Sequence, residues 1–157
     1  MNNFEALYHT VKTAVDAGRV GTPVFLRCLA HVASDGKTLD AALAEILGAT
    51  DLWLGGPAQR VFARGGPRSG QITTTAEFAR GGTAIVCVAV MIDAVPRVDF
   101  LLVGNRGTLV HEGSSDPIPL EAEDLPPITE TSGSVMEAVR QSLKTGKPVL
   151  VHEEDGR

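Results

Sequence analysis

The chain has 157 residues, of which 43% are apolar and 21% charged, a size and balance that fit one globular core and exclude a fibrous or disordered polymer. A net charge of -5 with scattered Arg and Lys leaves no basic stripe for phosphates, and 4% aromatic residues leave few platforms for stacked bases, so nucleic acid is not an expected partner. The longest apolar run, around 85–92, is far too short to span a bilayer as a helix, and Met1-Asn2-Asn3-Phe4-Glu5 lacks the regions of a signal peptide, so the expected address is the cytoplasm.

Residues 3–17 place Phe4, Leu7, Tyr8, Val11, Ala14 and Val15 at helical spacing, with Gly18 where a helix stop belongs. Residues 24–33 alternate, with Phe25, Arg27, Leu29 and His31 on one face and Val24, Leu26, Cys28 and Ala30 on the other, the period of a strand. After a turn at Ser34-Asp35-Gly36, residues 38–54 carry helix formers with an apolar side from Leu39, Leu43, Ile46 and Leu47, ending near Gly55-Gly56-Pro57. Strand composition then recurs at 59–64, 71–79, 83–91, 97–103 and 108–111, with turns at Arg80-Gly81-Gly82 and Gly104-Asn105-Arg106-Gly107 that imply antiparallel neighbours. The stretch 113–132 is rich in Pro, Glu, Ser and Thr and reads as a surface excursion with one short edge strand near 119–122. A third helix at 134–145, stopped by Gly146, and a strand at 148–152 close the chain.

These elements predict a single α+β domain over 1–157: a largely antiparallel, mixed open sheet with helices packed on one face. Ala84-Ile85-Val86-Cys87-Val88-Ala89-Val90-Met91-Ile92 is apolar on both faces, which an antiparallel strand with one side in water is not. The second face therefore calls for a cover, and a homodimer built by sheet-to-sheet packing is the expected one. Cys28 and Cys87 lack Cys-x-x-Cys spacing and neighbouring His, and both read as reduced core residues.

Several words in this order resemble the second domain of the Gfo/Idh/MocA oxidoreductases, a domain of the glyceraldehyde-3-phosphate-dehydrogenase-like kind. They are Ala17-Gly18-Arg19-Val20-Gly21-Thr22-Pro23, Asp51-Leu52-Trp53-Leu54-Gly55-Gly56-Pro57, Val103-Gly104-Asn105-Arg106-Gly107-Thr108-Leu109, Leu143-Lys144-Thr145-Gly146-Lys147-Pro148-Val149 and Glu153-Glu154-Asp155-Gly156. The resemblance implies a partner Rossmann domain that binds NAD(P), with the second domain supplying substrate and oligomer contacts. No Gly-x-Gly-x-x-Gly follows a strand here, so no NAD(P) site is expected on this chain unless a separate Rossmann chain supplies one. The family's catalytic lysine in a Glu-Lys-Pro word has no counterpart. Its second-helix histidine falls near Glu45 or Ile46, and no histidine lies between Lys37 and Gly55.

Glu45 is thus the candidate acid or base. Arg27 and His31 share a strand face, with Asp35 and Asp40 near in sequence, and with Glu45 they form the candidate substrate pocket, Arg27 supplying a fork for an anionic or hydroxylated ligand. Tyr8 and His9 read as packing or surface residues. His111-Glu112 and His152-Glu153-Glu154-Asp155 lack two-histidine helical spacing, so no metal is expected, and Ser114-Ser115-Asp116 has no nucleophile elbow. The expected function is a free-standing oxidoreductase-derived domain for oligomerisation or for binding a sugar- or polyol-like molecule. The alternatives are half of a split NAD(P)-dependent enzyme, or a cofactor-independent isomerase or lyase.

Overall fold

The computed structural model describes residues 2–33, 39–92, 96–113 and 128–152, without the side chains of residues 2 and 3. Its elements run α1 (Asn2–Asp16), β1 (Pro23–Ala33), α2 (Leu39–Trp53), β2 (Ala58–Gly66), a 3-10 turn (Pro67–Ser69), β3 (Gln71–Phe78), β4 (Thr83–Met91), β5 (Arg97–Gly104), β6 (Thr108–His111), α3 (Gly133–Thr145) and β7 (Val149–Leu150). The expected edge strand at 119–122, Asp35, the Ser114 loop and the word at 153–156 lie outside the described residues.

Seven strands form one sheet in the order β6-β5-β1-β4-β3-β2-β7. Every neighbouring pair is antiparallel except β1 and β4, which run parallel from Phe25 opposite Thr83 to Ala33 opposite Met91. The turn at Gly81, whose φ of 85° suits glycine, joins β3 to β4 as an ordinary hairpin. No such hairpin joins β4 to β5, because β1 has inserted between them. A parallel pair needs a long connection, and the route from β1 through α2, β2 and β3 supplies it. The fold is α+β with a mixed open sheet, as the sequence pattern requires.

Alternation decides which face the helices cover. Leu26, Cys28 and Ala30 on β1, Ile72, Thr74 and Ala76 on β3, Ala84, Val86 and Val88 on β4, and Val98, Phe100 and Leu102 on β5 are all buried. They join Leu43, Ile46 and Leu47 of α2, Phe4, Leu7 and Val11 of α1, and Val135 and Val139 of α3 in one core. Trp53 sits at the aromatic centre, edge-on to Phe100 at 5.1 Å and to Phe4 at 6.3 Å between ring centroids. Tyr8 and His9 are both buried. Helix α3 begins at Ser132, whose hydroxyl accepts from the Val135 N–H, and stops at Gly146 in the left-handed conformation. Among the described residues no helix is long and apolar enough to cross a membrane.

Candidate functional site

The remaining residues of the same strands form a face that no helix covers. Phe25, Leu29 and His31 of β1, Ile85, Cys87 and Ala89 of β4, Gln71, Thr73 and Thr75 of β3, and Asp99, Leu101 and Val103 of β5 are half-buried there, while Arg27 and Val110 are exposed. Cys28 and Cys87, both expected in the core, therefore part company. Cys28 faces the helices and is fully buried, which pushes its thiol up to about 12. Cys87 falls one residue out of phase with its buried neighbours Val86 and Val88, so its thiol lies on the open face, 3.6 Å from the Gln71 Oε1. One thiol per chain is expected to react with a maleimide in dilute native solution and both after denaturation. The rate should fall as protein concentration rises if copies cover the face; equal labelling of Cys28 would refute the assigned register.

A hollow of about 460 Å³ lies on this face, walled by Arg27, Leu29, Ile85, Cys87, Leu101 and Val110, with Arg97, Asp99, His111 and Glu112 at its rim. Arg27 stands directly opposite Leu101 on one side and Ile85 on the other. Beyond the backbone pairing of β1, its side chain makes no hydrogen bond or ion pair among the described residues. Asp99 is occupied: Arg97 Nη2 donates to its Oδ1 at 3.0 Å, and the Gly113 N–H donates to the same oxygen at 2.7 Å. The Arg97 hydrogen bond and the Gly113 amide hold the Asp99 carboxyl below the usual carboxylate range, and His31 is near enough to add to the effect.

Of the three candidate site residues, the structure brings Arg27 and His31 onto one face and leaves Glu45 on the other side of the sheet. Glu45 belongs to α2, which packs against the buried sides of β1, β3 and β4. Asp40 also sits on α2, where its carboxylate meets Arg140 at 3.5 Å. A pocket built from Arg27, His31 and Glu45 together has no counterpart in this geometry, since spacing along a chain does not reveal which side of a sheet a helix takes.

Sequence reasoning overlooked Asp51, near the end of α2. It is half-buried, its Oδ2 accepts from the Thr131 hydroxyl at 2.6 Å, and its Oδ1 completes no hydrogen bond among the described residues. Burial pushes its carboxyl up to about 6, against the opposing pull of the Thr131 hydroxyl and the nearby Ala58 amide. The partner is 80 positions away, so no local motif announces the pair. Among the described residues no three His, Cys, Asp or Glu side chains gather as a metal site.

The same architecture recurs in solved dehydrogenases. A myo-inositol dehydrogenase from Corynebacterium glutamicum superposes with a TM-score of 0.72 at 11% identity, over 97% of this chain and 63% of its own. A scyllo-inositol dehydrogenase from Lactobacillus casei, with bound cofactor NAD(H) and scyllo-inositol, gives 0.67 at 14% identity over 94% and 62%. A myo-inositol 2-dehydrogenase from Lactobacillus plantarum gives 0.69 at 11% over 92% and 61%. This is the fold of the Gfo/Idh/MocA second domain. The chain spans between 61% and 63% of the length of these dehydrogenases. At such identities the likeness is one of fold. No family model and no curated protein matches the sequence.

Proposed function

We propose that this domain is an association module whose open sheet face packs against the same face of a second copy, in the cytoplasm. The observation that carries the reading is the composition of that face: Phe25, Leu29, Ile85 and Leu101 cluster on its middle strands, and Val110 is 65% exposed on the strand beyond. Its charged pairs, Arg97 with Asp99 and Arg60 with Glu77, are matched within the chain, and Arg27, which has no ion pair among the described residues, would take an acceptor from the second copy. Seven strands at about 4.8 Å spacing give a face roughly 30 Å wide, enough for a standard interface of about 800 Å² per partner. The isologous two-fold pairing of identical patches is the commonest closed arrangement. Analytical ultracentrifugation across the micromolar range tests this; a mass equal to one chain at every concentration would refute it.

A second reading gives the hollow beside Arg27 a hydroxylated, sugar- or polyol-like ligand. It draws on the shared fold with inositol dehydrogenases, and Arg27, His31 and Asp99 are the polar groups it would use. In the same reading, NAD(P)-dependent chemistry needs a nucleotide-binding domain beyond the residues present here. Isothermal titration of this chain with NADH is expected to give no heat of binding; micromolar affinity would overturn both the module and the split-enzyme readings.

A further inference from the structure

The contact between α2 and the lead-in to α3 has a composition unlike the rest of the core. Residues 129–131 lie flat on α2: the Thr131 N–H donates to the Ala44 carbonyl at 3.0 Å, and the segment passes so close to Gly48 that a side chain there would meet its backbone. The third tie is the Thr131 hydroxyl on Asp51. A carboxylate is a poor choice for this spot on two counts. It sits in the last turn of a helix, where the macrodipole already concentrates negative charge, and one of its oxygens is buried with no completed hydrogen bond among the described residues. An asparagine would hold the same shape with no ionisation to accommodate.

We propose that Asp51 and Thr131 form a proton-sensitive latch, which holds the start of α3 against α2 while the carboxyl is neutral and loosens when it ionises. Among the described residues the groups facing Asp51 are uncharged: the Thr131 hydroxyl from the lead-in and the Ala58 amide from the entry to β2. Glu130 on the lead-in, Glu137 and Arg140 on α3, and His152 after β7 exert no resolved charge effect on it among the described residues. Burial therefore sets the direction of the shift, and the Thr131 and Ala58 hydrogen bonds offset only part of it. In the closed latch it is neutral below about 6, whereas once exposed to water it is neutral only below about 4. Opening is consequently hardest in acid, becomes easier as pH rises between those two values, and levels off above the higher one. Two pH units between the closed and open forms allow at most about a hundredfold change in the opening equilibrium. Thr131 runs straight into Ser132, Gly133 and Ser134, which line a cleft of about 810 Å³ with Gln59 and His152, so the latch sets one wall of that cleft.

Amide hydrogen exchange of the full chain, followed by NMR from pH 4 to 7.5 and corrected for the base-catalysed intrinsic rate, tests the latch. The Thr131 amide is expected to lose protection by tens of fold as pH rises, while the Gly146 amide, which donates to Ser142 at the far end of α3, keeps its own. Asp51→Asn should abolish the step and leave Thr131 protected throughout. Thr131→Val removes the donor that favours the ionised form, so the transition, read on the backbone amide at position 131, which still faces the Ala44 carbonyl, should move to higher pH. A Thr131 amide without a step, an equal step at Gly146, a step that survives Asp51→Asn, or an unmoved midpoint in Thr131→Val would each overturn the proposal. The inference stands apart from self-association, because it concerns the opposite side of the sheet.

Discussion

Ile85→Glu is expected to yield a folded monomer, and Val86→Glu, one residue further along the same strand, is expected to yield no stable fold at all. Both residues sit mid-strand in β4, the central strand of the seven, and both are β-branched. They differ in phase: Val86 is fully buried under the helices, whereas Ile85 is half-buried on the open face, opposite Arg27. A glutamate at position 86 would need to ionise inside an apolar core with no partner, a cost of several kcal/mol that matches the whole stability of an ordinary domain. At position 85 the same side chain reaches water in the monomer, with Arg27 beside it. Burial against a second copy, in contrast, would desolvate it near the middle of the interface, where truncations and charges have their largest effects. The dissociation constant should rise by at least about a hundredfold, or about 2.7 kcal/mol. Sedimentation of the variant over the concentrations at which the parent associates, with circular dichroism to verify the fold, is the measurement. Unchanged association would mean that the face of Ile85 is not the contact.

The success of that comparison would rest on information the sequence does contain. Period-two alternation in β1 identifies the two faces before any coordinates, and the apolar character of both sides of 84–92 announces that the second is not simply solvated. Helix α3 is legible through its glycine stop at Gly146, and the structure adds the serine cap at Ser132 and the buried side of Val135, Ala138 and Val139. The insertion of β1 between β4 and β5 is not legible, because hydrogen-bond partners across a sheet leave no mark on local periodicity and a turn-like break between two strands is compatible with either arrangement. The side of the sheet taken by α2 is hidden for the same reason, so spacing alone does not separate Glu45 from Arg27 and His31. Asp51 escaped notice since its environment is made by residues 58 and 131, both remote from it in sequence. The general tendency of cysteine to be buried does not hold for Cys87, whose phase relative to Val86 puts it on the open face.

Gly48 offers the second large effect, and it opposes the intrinsic preference of a helix. In the middle of α2 a glycine costs roughly 1 kcal/mol relative to alanine, so Gly48→Ala should be stabilising if only propensity mattered. Space decides otherwise. An added Cβ would fall on the Thr129 carbonyl oxygen, with the Thr131 N and the Glu130 C within 2.8 and 2.9 Å, and all three are backbone atoms with no rotamer to change. Either the lead-in of α3 lifts off, breaking the Thr131 bonds to Ala44 and Asp51, or the helix shifts within a core that is already filled. Overpacking of this kind costs about 1–3 kcal/mol, and losing two hydrogen bonds adds about 1 kcal/mol each, which together exceed the gain in propensity. The net expectation is a loss of about 2–4 kcal/mol in urea denaturation followed by the fluorescence of Trp53, the single tryptophan, which is buried in the same core. The accompanying loss of Thr131 amide protection should appear at every pH, because a steric lift does not depend on the ionisation of Asp51. Stability equal to or above the parent would mean that the lead-in does not rest on Gly48, and that the close approach of these two segments is not what fixes the start of α3.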